Sequence, residues 1–413
     1  MTGGGIMYQA RFVDGLLERL MADFPAVVIT GPRATGKTTT AARHTRSVVR
    51  LDRKADAEAY RADADSVLAR QPEPVLLDEW QAVPEVLGAV KRSVDRDPRP
   101  GRFVITGSVR ATLTAETWPG TGRVLTLPMY GLTVAESQGR PDKPAFLDVL
   151  ANGGVPPNPQ RPPDLVGYLD LALAGGYPEP LLLRPARSRA HWLESYVEQL
   201  ITRDAAELQH GRDPDRLRRY FAAVALNTAG FVEQTTLAGA AGVDKRTAAA
   251  YEQLLRNLLV VDALPAWTTN RLKRLVRGPK RHLTDVALLS GAVGVDTAAV
   301  LADGALLGRV LETFVLAQLR AEVPACHTRP RLYHLRQEQG RREIDIVAEL
   351  GGRRVIGIEV KAGTATRTDA RHLGWLRDEY DDRFLAGVIL HTGTHLYELG
   401  DRITAAPIAA LWS

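Results

Sequence analysis

"AVVITGPRATGKTTTAARH", residues 26–44, joins an apolar run to a loop with two glycines and then to a segment rich in alanine and threonine. Residues 27–30 are β-branched and form a short run, as buried strands of parallel sheets do. The letters that follow, GPRATGKT, match the pattern GxxxxGK[ST], and a helix is predicted from Lys37 onward. A strand, a glycine loop and a helix in this order predict a site for the phosphates of a nucleotide.

The residue types in this loop fit that chemistry. Gly31 and Gly36 let backbone N–H groups turn toward phosphate oxygens, and the helix N-terminus adds its positive dipole end. We expect Lys37 to reach the β- and γ-phosphates and the Thr38 hydroxyl to bind Mg²⁺. A chance glycine-rich turn is the alternative, and the strand before it and the helix after it argue against that. The predicted nucleotide-binding residues are Gly31, Pro32, Arg33, Ala34, Thr35, Gly36, Lys37, Thr38 and Thr39.

Two acids follow a second apolar run, in EPVLLDEW, residues 73–80. We expect Asp78 to hold Mg²⁺ through water, and Glu79 to orient or deprotonate the water that attacks the γ-phosphate. An acidic pair after a strand is often only a helix cap or a solvated loop. Together with the phosphate loop, the pair favours a catalytic function.

Two further strands are predicted in this region. Residues 103–106 form an apolar run that leads to Ser108, and residues 123–127 precede a helix. Open α/β sheets bind ligands at the carboxyl ends of their strands, so Ser108 is predicted to sense the γ-phosphate or the attacking water. The predicted catalytic groups of this region are therefore Lys37, Glu79 and Ser108.

The segments GPRATGKTT, LLDEWQAVPEV, VITGSVR and LPMYGLTVAE, taken in order, resemble the motifs of prokaryotic AAA-type P-loop ATPases. The resemblance covers about the first third of the chain. It implies ATP as the nucleotide and arginines that complete the site in cis or in trans, for which Arg110 and Arg123 are the candidates. An exposed salt bridge is the equal alternative for both arginines. In that family, this domain usually precedes a conserved C-terminal domain of unknown function.

The middle of the chain predicts a helix–turn–helix, in TTLAGAAGVDKRTAAAYEQLL. Gly242 lies at the turn, Asp244 is suited to cap the second helix, and Lys245 and Arg246 are exposed on it. A basic segment, residues 268–283, which includes Lys280, follows and suggests the wing of a winged helix. A docking adaptor with a solvated basic loop is the alternative, and the sequence leaves both open. The candidate DNA contacts are Lys245, Arg246, Arg271, Lys273, Arg274 and Arg277.

REIDIVAELGGRRVIGIEVKAG, residues 342–363, predicts a β-hairpin. A three-residue loop, 351–353, pairs residues 344, 346 and 348 with 360, 358 and 356, which buries one apolar face. The other face then places Asp345 opposite Glu359 and next to Lys361. Two facing carboxylates repel each other unless a cation neutralises them, and Mg²⁺ favours carboxylate oxygens.

This hairpin resembles the core of PD-(D/E)XK nucleases, with Asp345, Glu359 and Lys361 at the motif positions. Glu312, in the preceding predicted helix, lies where many members carry an additional acid. The resemblance implies that Lys361 positions or activates a metal-bound water, and that Glu312, Asp345 and Glu359 bind the metal. An exposed cross-strand salt bridge is the alternative, and nuclease-like domains also serve as binding modules.

The composition sets outer limits. With 413 residues, the chain is expected to hold two or three domains. Cys326 is the single cysteine, which excludes an intrachain disulfide and fits a reducing cytoplasm. The net charge of +5 permits an acidic partner such as nucleic acid without demonstrating one. No signal peptide or membrane span is predicted, so we expect a cytoplasmic protein.

The expected fold class is α/β, with a parallel-sheet P-loop domain, a helical and winged-helix region, and a C-terminal α/β nuclease-like domain. We expect a Mg²⁺-dependent protein that binds and hydrolyses ATP and whose nucleotide state controls a DNA-directed C-terminal domain. The alternative is a nucleotide-operated switch that binds DNA or a partner protein without cleavage. A homo-oligomer is compatible with this reading, but the sequence does not show one. The predicted segments are 1–140 (ATPase domain), 141–164 (linker), 165–285 (helical region) and 286–413 (nuclease-like domain).

Overall fold

The computed structural model describes residues 8–107, 122–183, 185–205, 213–268, 274, 278–337 and 340–413. These residues form two compact units. The first comprises residues up to 132 together with 257–259, and the second comprises 133–256 and 260–413. The limits of the four predicted segments stay a prediction.

A five-stranded parallel sheet forms the centre of the first unit, in the order β2-β3-β4-β1-β5. Its strands are β1 Ala26–Thr30, β2 Ser47–Arg50, β3 Val75–Asp78, β4 Phe103–Gly107 and β5 Val124–Pro128. Its helices are α1 Phe12–Asp23, α2 Lys37–Arg43, α3 Lys54–Leu68 and α4 Val86–Arg96. The predicted strands agree with the observed ones to within one residue at each end, and α2 begins at the predicted Lys37.

The apolar runs explain why the sheet is covered on both faces. Along β1, Val28 contributes to a cluster with α3 and α4, whereas Val27 and Ile29 contribute to a cluster with α1 and α2. Because successive strand side chains point to opposite faces, a continuous apolar run is buried on both sides. The carboxyl ends of β1, β3 and β4 therefore lie side by side at one edge of the sheet.

Helices form most of the first half of the second unit. They are α5 Val134–Ser137, α6 Phe146–Ala151, α7 Leu165–Ala174, α8 Pro178–Leu181, α9 Ala186–Gln199, α10 Pro214–Leu226, α11 Gln234–Ala241, α12 Lys245–Asn257, α13 Ala287–Val293 and α14 Thr297–Ala302. One turn of π-helix, Leu200–Asp204, continues α9. A two-stranded antiparallel hairpin, β6 Val261–Leu264 and β7 Lys280–Leu283, follows α12.

The predicted helix–turn–helix corresponds to α11 and α12. Gly242 ends α11 in the left-handed conformation, with φ of 65°. Asp244 accepts hydrogen bonds from the backbone N–H groups of Arg246 and Thr247, at 2.8 and 3.0 Å, and so caps α12 as expected. Its identity as a winged helix stays a prediction.

The predicted surface linker, 141–164, contains the buried helix α6. Phe146, Leu147 and Leu150 are at most 1% exposed. A linker was expected because prolines and glycines flank this segment, and six helical residues are too few to display a helical period. The interpretation as a surface linker is therefore wrong for α6.

Asp148, on α6, binds a distant loop of the same unit. Its carboxylate accepts hydrogen bonds from the backbone N–H groups of His327 and Thr328, at 2.8 and 3.1 Å. The neighbouring Cys326 is 3% exposed, and burial, together with the charge of Asp148, raises the pKa of its thiol. This thiol is therefore shielded and unreactive.

The second half of this unit is a six-stranded mixed sheet in the order β12-β13-β11-β10-β9-β8. Its strands are β8 Arg331–Gln337, β9 Arg342–Glu349, β10 Val355–Lys361, β11 Phe384–His391, β12 Tyr397–Gly400 and β13 Ile403–Pro407. The helices α15 Gly304–Glu322 and α16 Arg371–Tyr380 accompany it. Among the described helices, α15 included, none has both the length and the apolar character of a membrane span.

The predicted hairpin corresponds to β9 and β10, which are antiparallel. Ile346 pairs with Ile358 and Ala348 pairs with Ile356, as expected. All four side chains are fully buried, which explains why this register is favoured. Beyond Ile358, β10 continues in parallel alongside β11. The carboxyl end of β10 therefore carries Glu359 and Lys361 at the edge of the antiparallel ladder.

Candidate functional sites

The loop between β1 and α2 has a geometry that only glycine permits at two positions. Gly36 has a φ of 90°, in the left-handed region. A Cβ at Gly31 would lie 1.9 Å from the carbonyl oxygen of Met129. Inside the loop, the Lys37 ammonium donates to the Pro32 carbonyl at 2.7 Å. The loop thus curves around its own lysine at the carboxyl edge of the sheet.

Lys37 is 6% exposed, and its surroundings alter its charge. Burial lowers the pKa of Lys37 to about 8, although the attraction of Glu79 and Asp78 opposes this effect. A phosphate group close to the ammonium would restore the charged form. The lysine is thus better adapted to an anionic ligand than to the ligand-free loop.

Asp78, at the end of β3, joins the start of α2 to the end of β4 through one carboxylate oxygen. Oδ1 accepts hydrogen bonds from the hydroxyl groups of Thr38 and Thr106, at 2.8 and 2.5 Å. Asp78 is 5% exposed. A hydroxyl at the start of α2 beside a buried carboxylate at the end of β3 is the donor set that holds Mg²⁺ with a nucleotide. The residues present therefore fit ATP and Mg²⁺.

Glu79 adopts a backbone conformation that is unusual for its residue type. Its φ of 56° and ψ of 49° lie in the left-handed region, which costs a non-glycine residue about 1–3 kcal/mol. The side-chain amide of Gln81 donates to its carboxylate. A strained acid directly after the buried Asp78 is typical of a site where the position of the carboxylate matters.

Arg11 supports this site, and sequence reasoning missed it. Its guanidinium is buried and donates to the Thr35 carbonyl at 2.9 Å, and to the carbonyls of Tyr130 and Gly131 at 2.7 and 3.1 Å. It therefore ties the phosphate loop to the chain after β5. The sequence around Arg11 contains no local pattern that predicts contacts with residues so distant along the chain.

Acidic side chains of the C-terminal sheet form a second cluster. Glu359 is 5% exposed, and the Lys361 ammonium lies 3.6 Å from its Oε2. Asp345 Oδ2 accepts a hydrogen bond from the Val360 N–H at 2.9 Å, where the β9–β10 ladder ends. The structure thus brings together the predicted Asp345, Glu359 and Lys361.

Lys280, at the start of β7, lies within this cluster. Its ammonium is 2.7 and 2.8 Å from the two carboxylate oxygens of Glu312. It lies 3.7 Å from Asp345 Oδ1 and 3.8 Å from Glu343 Oε1. Lys280 is 2% exposed. Sequence reasoning placed Lys280 in the basic segment of the predicted wing and Glu312 at a metal site, whereas the structure pairs them.

The cluster carries more acids than cations, which affects its protonation. Burial and the charge of Asp345 raise the pKa of Glu312 to about 8. The same two causes raise the pKa of Glu359. For Lys280, burial lowers the pKa, but the surrounding carboxylates outweigh this effect and leave the pKa raised.

This arrangement does not fit the metal ion that the sequence predicts. Within the described ranges, no three His, Cys, Asp or Glu side chains are grouped so that they could hold a metal ion. The ammonium of Lys280 lies between Glu312 and Asp345, two of the three predicted metal ligands. The physical reason is that β7, from outside the predicted nuclease-like segment, supplies a cation of its own.

The candidate DNA contacts differ in their environment. Lys245 and Arg246 are exposed at the start of α12. Arg274 is instead 11% exposed, paired with Glu349, and stacked 4.9 Å from the centre of the Tyr333 ring. This buried pair competes with the predicted phosphate contact. The predictions for Arg271, Lys273 and Arg277 lie outside the described residues.

A cavity of about 640 Å³ opens beside α12. Lys245, Arg281 and Arg336 supply cationic side chains to its lining, and Phe231 supplies an aromatic ring. The Arg336 guanidinium lies 4.1 Å from the centre of that ring. The lining therefore combines positive charge with an aromatic surface, a combination found in sites for nucleic acids and nucleotides.

Three family models match successive parts of the chain. Residues 23–138 match the AAA domain, residues 166–299 match the domain of unknown function DUF8612, and residues 307–411 match the domain of unknown function DUF4143. The first unit contains an AAA-like P-loop ATPase domain. This agrees with the parallel sheet and phosphate loop described above.

Two relatives are similar to this chain over most of its residues. They are the uncharacterized protein Rv2008c of Mycobacterium tuberculosis and the uncharacterized protein Mb2031c of Mycobacterium bovis. Each is 29% identical over 408 residues, which is 97% of this chain and 84% of the relative. A solved structure, the Walker-type ATPase PABY2304 of Pyrococcus abyssi, is 12% identical with a TM-score of 0.41, and covers 68% of this chain and 94% of its own.

One of the arginines predicted for the AAA-like domain lies in an ion pair. Arg123 binds Asp95 of α4, and the Arg123 side chain is 46% exposed. This pair, above all the hydrogen bond from Arg123, lowers the pKa of Asp95. The structure thus contains the surface salt bridge considered as the alternative for Arg123. Ser108 and Arg110 lie outside the described residues.

Proposed function

We propose that the AAA-like domain binds ATP with Mg²⁺ and hydrolyses it. The observation that carries this proposal is the convergence of Lys37, Thr38 and Asp78 at one edge of the sheet. Thr38 donates to Asp78, while Lys37 is buried inside the glycine loop. These are the three side chains that bind phosphate and Mg²⁺ in P-loop ATPases.

The proposed roles follow from the chemistry of each group. The backbone N–H groups of residues 33–39 and the Lys37 ammonium bind phosphate oxygens, while Thr38 and Asp78 hold Mg²⁺. When bound, Mg²⁺ neutralises charge that develops on the phosphate oxygens. Glu79 orients water and accepts its proton, since its backbone fixes the carboxylate directly after Asp78.

Two substitutions separate binding from hydrolysis. Lys37→Ala should abolish both, because Lys37 is the buried cation whose ammonium lies inside the loop. Glu79→Gln should retain ATP binding but reduce turnover at least a hundredfold, within the usual range for loss of a general base. Binding is measured with a fluorescent ATP analogue and turnover by phosphate release.

Lys54→Ala is the matched control, because this lysine begins α3 with its side chain 90% exposed. It should leave both properties unchanged. Wild-type turnover in the Lys37→Ala protein would refute the assignment of the loop. Equal turnover of Glu79→Gln and wild type would refute the role of Glu79.

We also propose Arg110 or Arg123 as the arginine that completes the site, with Ser108 as the sensor. For Arg123 this requires its guanidinium to leave Asp95. Arg123→Ala should then reduce turnover, whereas Asp95→Ala, which frees the arginine, should not. Equal losses in both variants would indicate a structural ion pair alone.

For the second unit, we propose that the nucleotide state of the AAA-like domain controls a DNA-directed function. Two versions remain distinct: metal-dependent cleavage through Asp345, Glu359 and Lys361, and binding of DNA or a protein without cleavage. The Lys280–Glu312 pair favours binding without cleavage, because a lysine already contacts two of the three predicted metal ligands. The single cysteine supports a reducing cytoplasm as the location.

Plasmid and single-stranded DNA, each with Mg²⁺ or Mn²⁺, distinguish the two versions. Binding without cleavage predicts intact DNA in both the wild type and Lys361→Ala, and DNA affinity that differs between ATP and ADP. Cleavage by the wild type that disappears in Lys361→Ala would establish the nuclease. Equal DNA affinity with ATP and ADP would refute nucleotide control.

A further inference from the structure

Lys280 reaches the acid cluster from a different part of the chain. It is the first residue of β7, whose partner strand β6 follows the helix–turn–helix. Its ammonium contacts both oxygens of Glu312, on α15. It also faces Asp345 and Glu343, on β9, at 3.7 and 3.8 Å. Lys280 therefore connects the β6–β7 hairpin with α15 and with the six-stranded sheet of the C-terminal half.

Because Lys280 and Glu312 are both buried, their contact affects the stability of the fold. With the lysine 2% exposed and Glu312 7% exposed, each charge needs the other as its partner. Removing either partner alone would leave a buried charge without compensation, which is strongly destabilising. The Lys280–Glu312 pair therefore contributes to the stability of the fold.

The cations near the acid cluster do not neutralise all of its carboxylates. Glu312, Glu343, Asp345 and Glu359 approach one another, while among the described residues Lys280, Arg336 and Lys361 supply permanent positive charge within 4 Å of these four carboxylates. His282 and His372 also face Glu312 and Glu359, at 3.7 and 4.0 Å. Glu359 Oε1 is buried and has no hydrogen-bond partner. The cluster therefore retains an attraction for positive charge.

A lysine ammonium and a divalent ion cannot share this space. Mg²⁺ binds carboxylate oxygens at about 2.1 Å, and both Glu312 oxygens already face the ammonium. Like charges so close together in a buried site repel each other strongly. Occupation by one cation therefore excludes the other.

We propose that Lys280 is the resident cation of the acid cluster and that β7 thereby keeps divalent metal out of the C-terminal half. Metal enters only when Lys280 leaves. The β6–β7 hairpin thus controls whether the acid cluster is a metal-free ion-pair network or a metal centre.

Manganese binding tests this directly. Full-length, nucleotide-free protein carrying Asp78→Asn, which removes a proposed metal ligand of the first unit, is the parent. Adding Lys280→Met removes the ammonium but keeps an unbranched apolar chain. Electron paramagnetic resonance of free Mn²⁺ should then show one additional site per chain, with affinity at least tenfold above that of the parent. Adding Glu312→Gln and Asp345→Asn should remove the new site.

Lys143→Met is the matched control, because Lys143 forms another buried pair, with Glu322. It should create no manganese site if the effect is specific to the acid cluster. A new site in this variant would overturn the proposal. So would a folded Lys280→Met protein without a new site, or a parent that already binds Mn²⁺ through Glu312.

Loss of stability in Lys280→Met is itself informative. Mn²⁺ should then raise the Tm of this variant and leave that of the parent unchanged, because the ion replaces the missing cation. A variant that remains unfolded in the presence of Mn²⁺ contradicts the proposal. None of these measurements involves ATP turnover, so they can fail without affecting the proposed ATPase.

Discussion

Arg11 is a structural component of the nucleotide site at the scale of single residues. Its buried guanidinium satisfies one carbonyl group of the phosphate loop and two carbonyl groups of the chain after β5. Arg11→Met should lower the free energy of unfolding by about 1–3 kcal/mol, because buried carbonyls lose their donors. It should also weaken ATP binding, since the loop loses its support.

The measurements are denaturant unfolding and a nucleotide titration. Arg19→Met is the control, because Arg19 is exposed and lies on α1, the helix that Arg11 directly precedes. If the two variants are equally stable, the role given to Arg11 is wrong.

The buried Lys37 predicts a pH dependence of nucleotide binding. Its pKa of about 8 in the free protein lies below its ordinary value because of burial. Above about pH 8 the free loop therefore holds a neutral lysine, and binding of ATP must bring in a proton. The sign follows: affinity falls as pH rises through this range, and proton uptake grows.

Calorimetry in buffers with different ionisation enthalpies measures this uptake. Lys37→Arg serves as the comparison, because an arginine stays charged throughout and should take up no proton. No uptake by the wild type at about pH 9 would show that Lys37 is already charged in the free loop.

The sequence predicted those site residues whose chemistry is encoded by neighbours in the chain. Lys37 and Thr38 belong to one short pattern, and Asp78 follows an apolar strand. Arg11 and Lys280 could not be predicted, because their partners are 24 to 120 and 32 residues away. Distant contacts of this kind depend on tertiary packing, which a local pattern does not contain.

At the scale of elements, the β9–β10 hairpin shows how side-chain alternation determines register. Ile358 pairs with Ile346 and is fully buried. Ile358→Ala should lower the free energy of unfolding by about 2–5 kcal/mol, because it leaves a cavity in this core. Val155→Ala, at a position 65% exposed, should change it by less than about 0.5 kcal/mol.

Thermal or chemical unfolding of both variants is the measurement. A loss for Ile358→Ala no larger than that of the control would mean that the predicted face is not a packed core.

Elements with a clear period were predictable and short ones were not. The alternation in β9 and β10 gave the correct register up to the Ile346–Ile358 pair, where the ladder ends before the predicted 344–360 pair. Helix α6 has six residues between proline- and glycine-rich stretches, so no period identifies it. Its burial depends on partners such as Asp148 and the 327–328 backbone, which only the folded chain brings together.

For the whole molecule, the exposed cations of α12 predict a salt-dependent affinity for DNA. Replacing Lys245 and Arg246 with alanine should reduce the slope of log affinity against log salt by about 2, if each contacts one phosphate. The exposed Arg53 and Lys54 of the AAA-like domain provide the matched double variant. Fluorescence anisotropy with labelled DNA over a range of salt concentrations is the measurement.

An unchanged slope in the Lys245 and Arg246 variant, or an equal reduction in the control, would exclude this helix as a DNA-binding surface. Protein docking would then be the better explanation of the helix–turn–helix.

The sequence described the parts of the molecule better than their connections. The phosphate-loop motif identified the AAA-like domain, and the hairpin pattern brought Asp345 and Glu359 together. Neither pattern contained the β7 lysine that changes the chemistry of the acid cluster. Lys280 belongs to the predicted helical region, whereas its partners Glu312 and Asp345 belong to the predicted nuclease-like domain. An interpretation of each segment by itself therefore does not bring them together.

The shielded thiol of Cys326 has a practical consequence. With no other cysteine in the sequence, one introduced at the exposed Val155 or Leu182 becomes the single readily labelled sulfur. A second label on an exposed position of the AAA-like domain, such as Val48, would make a fluorescent distance ruler. Such a ruler would record, molecule by molecule, whether ATP and ADP place the two units at different separations.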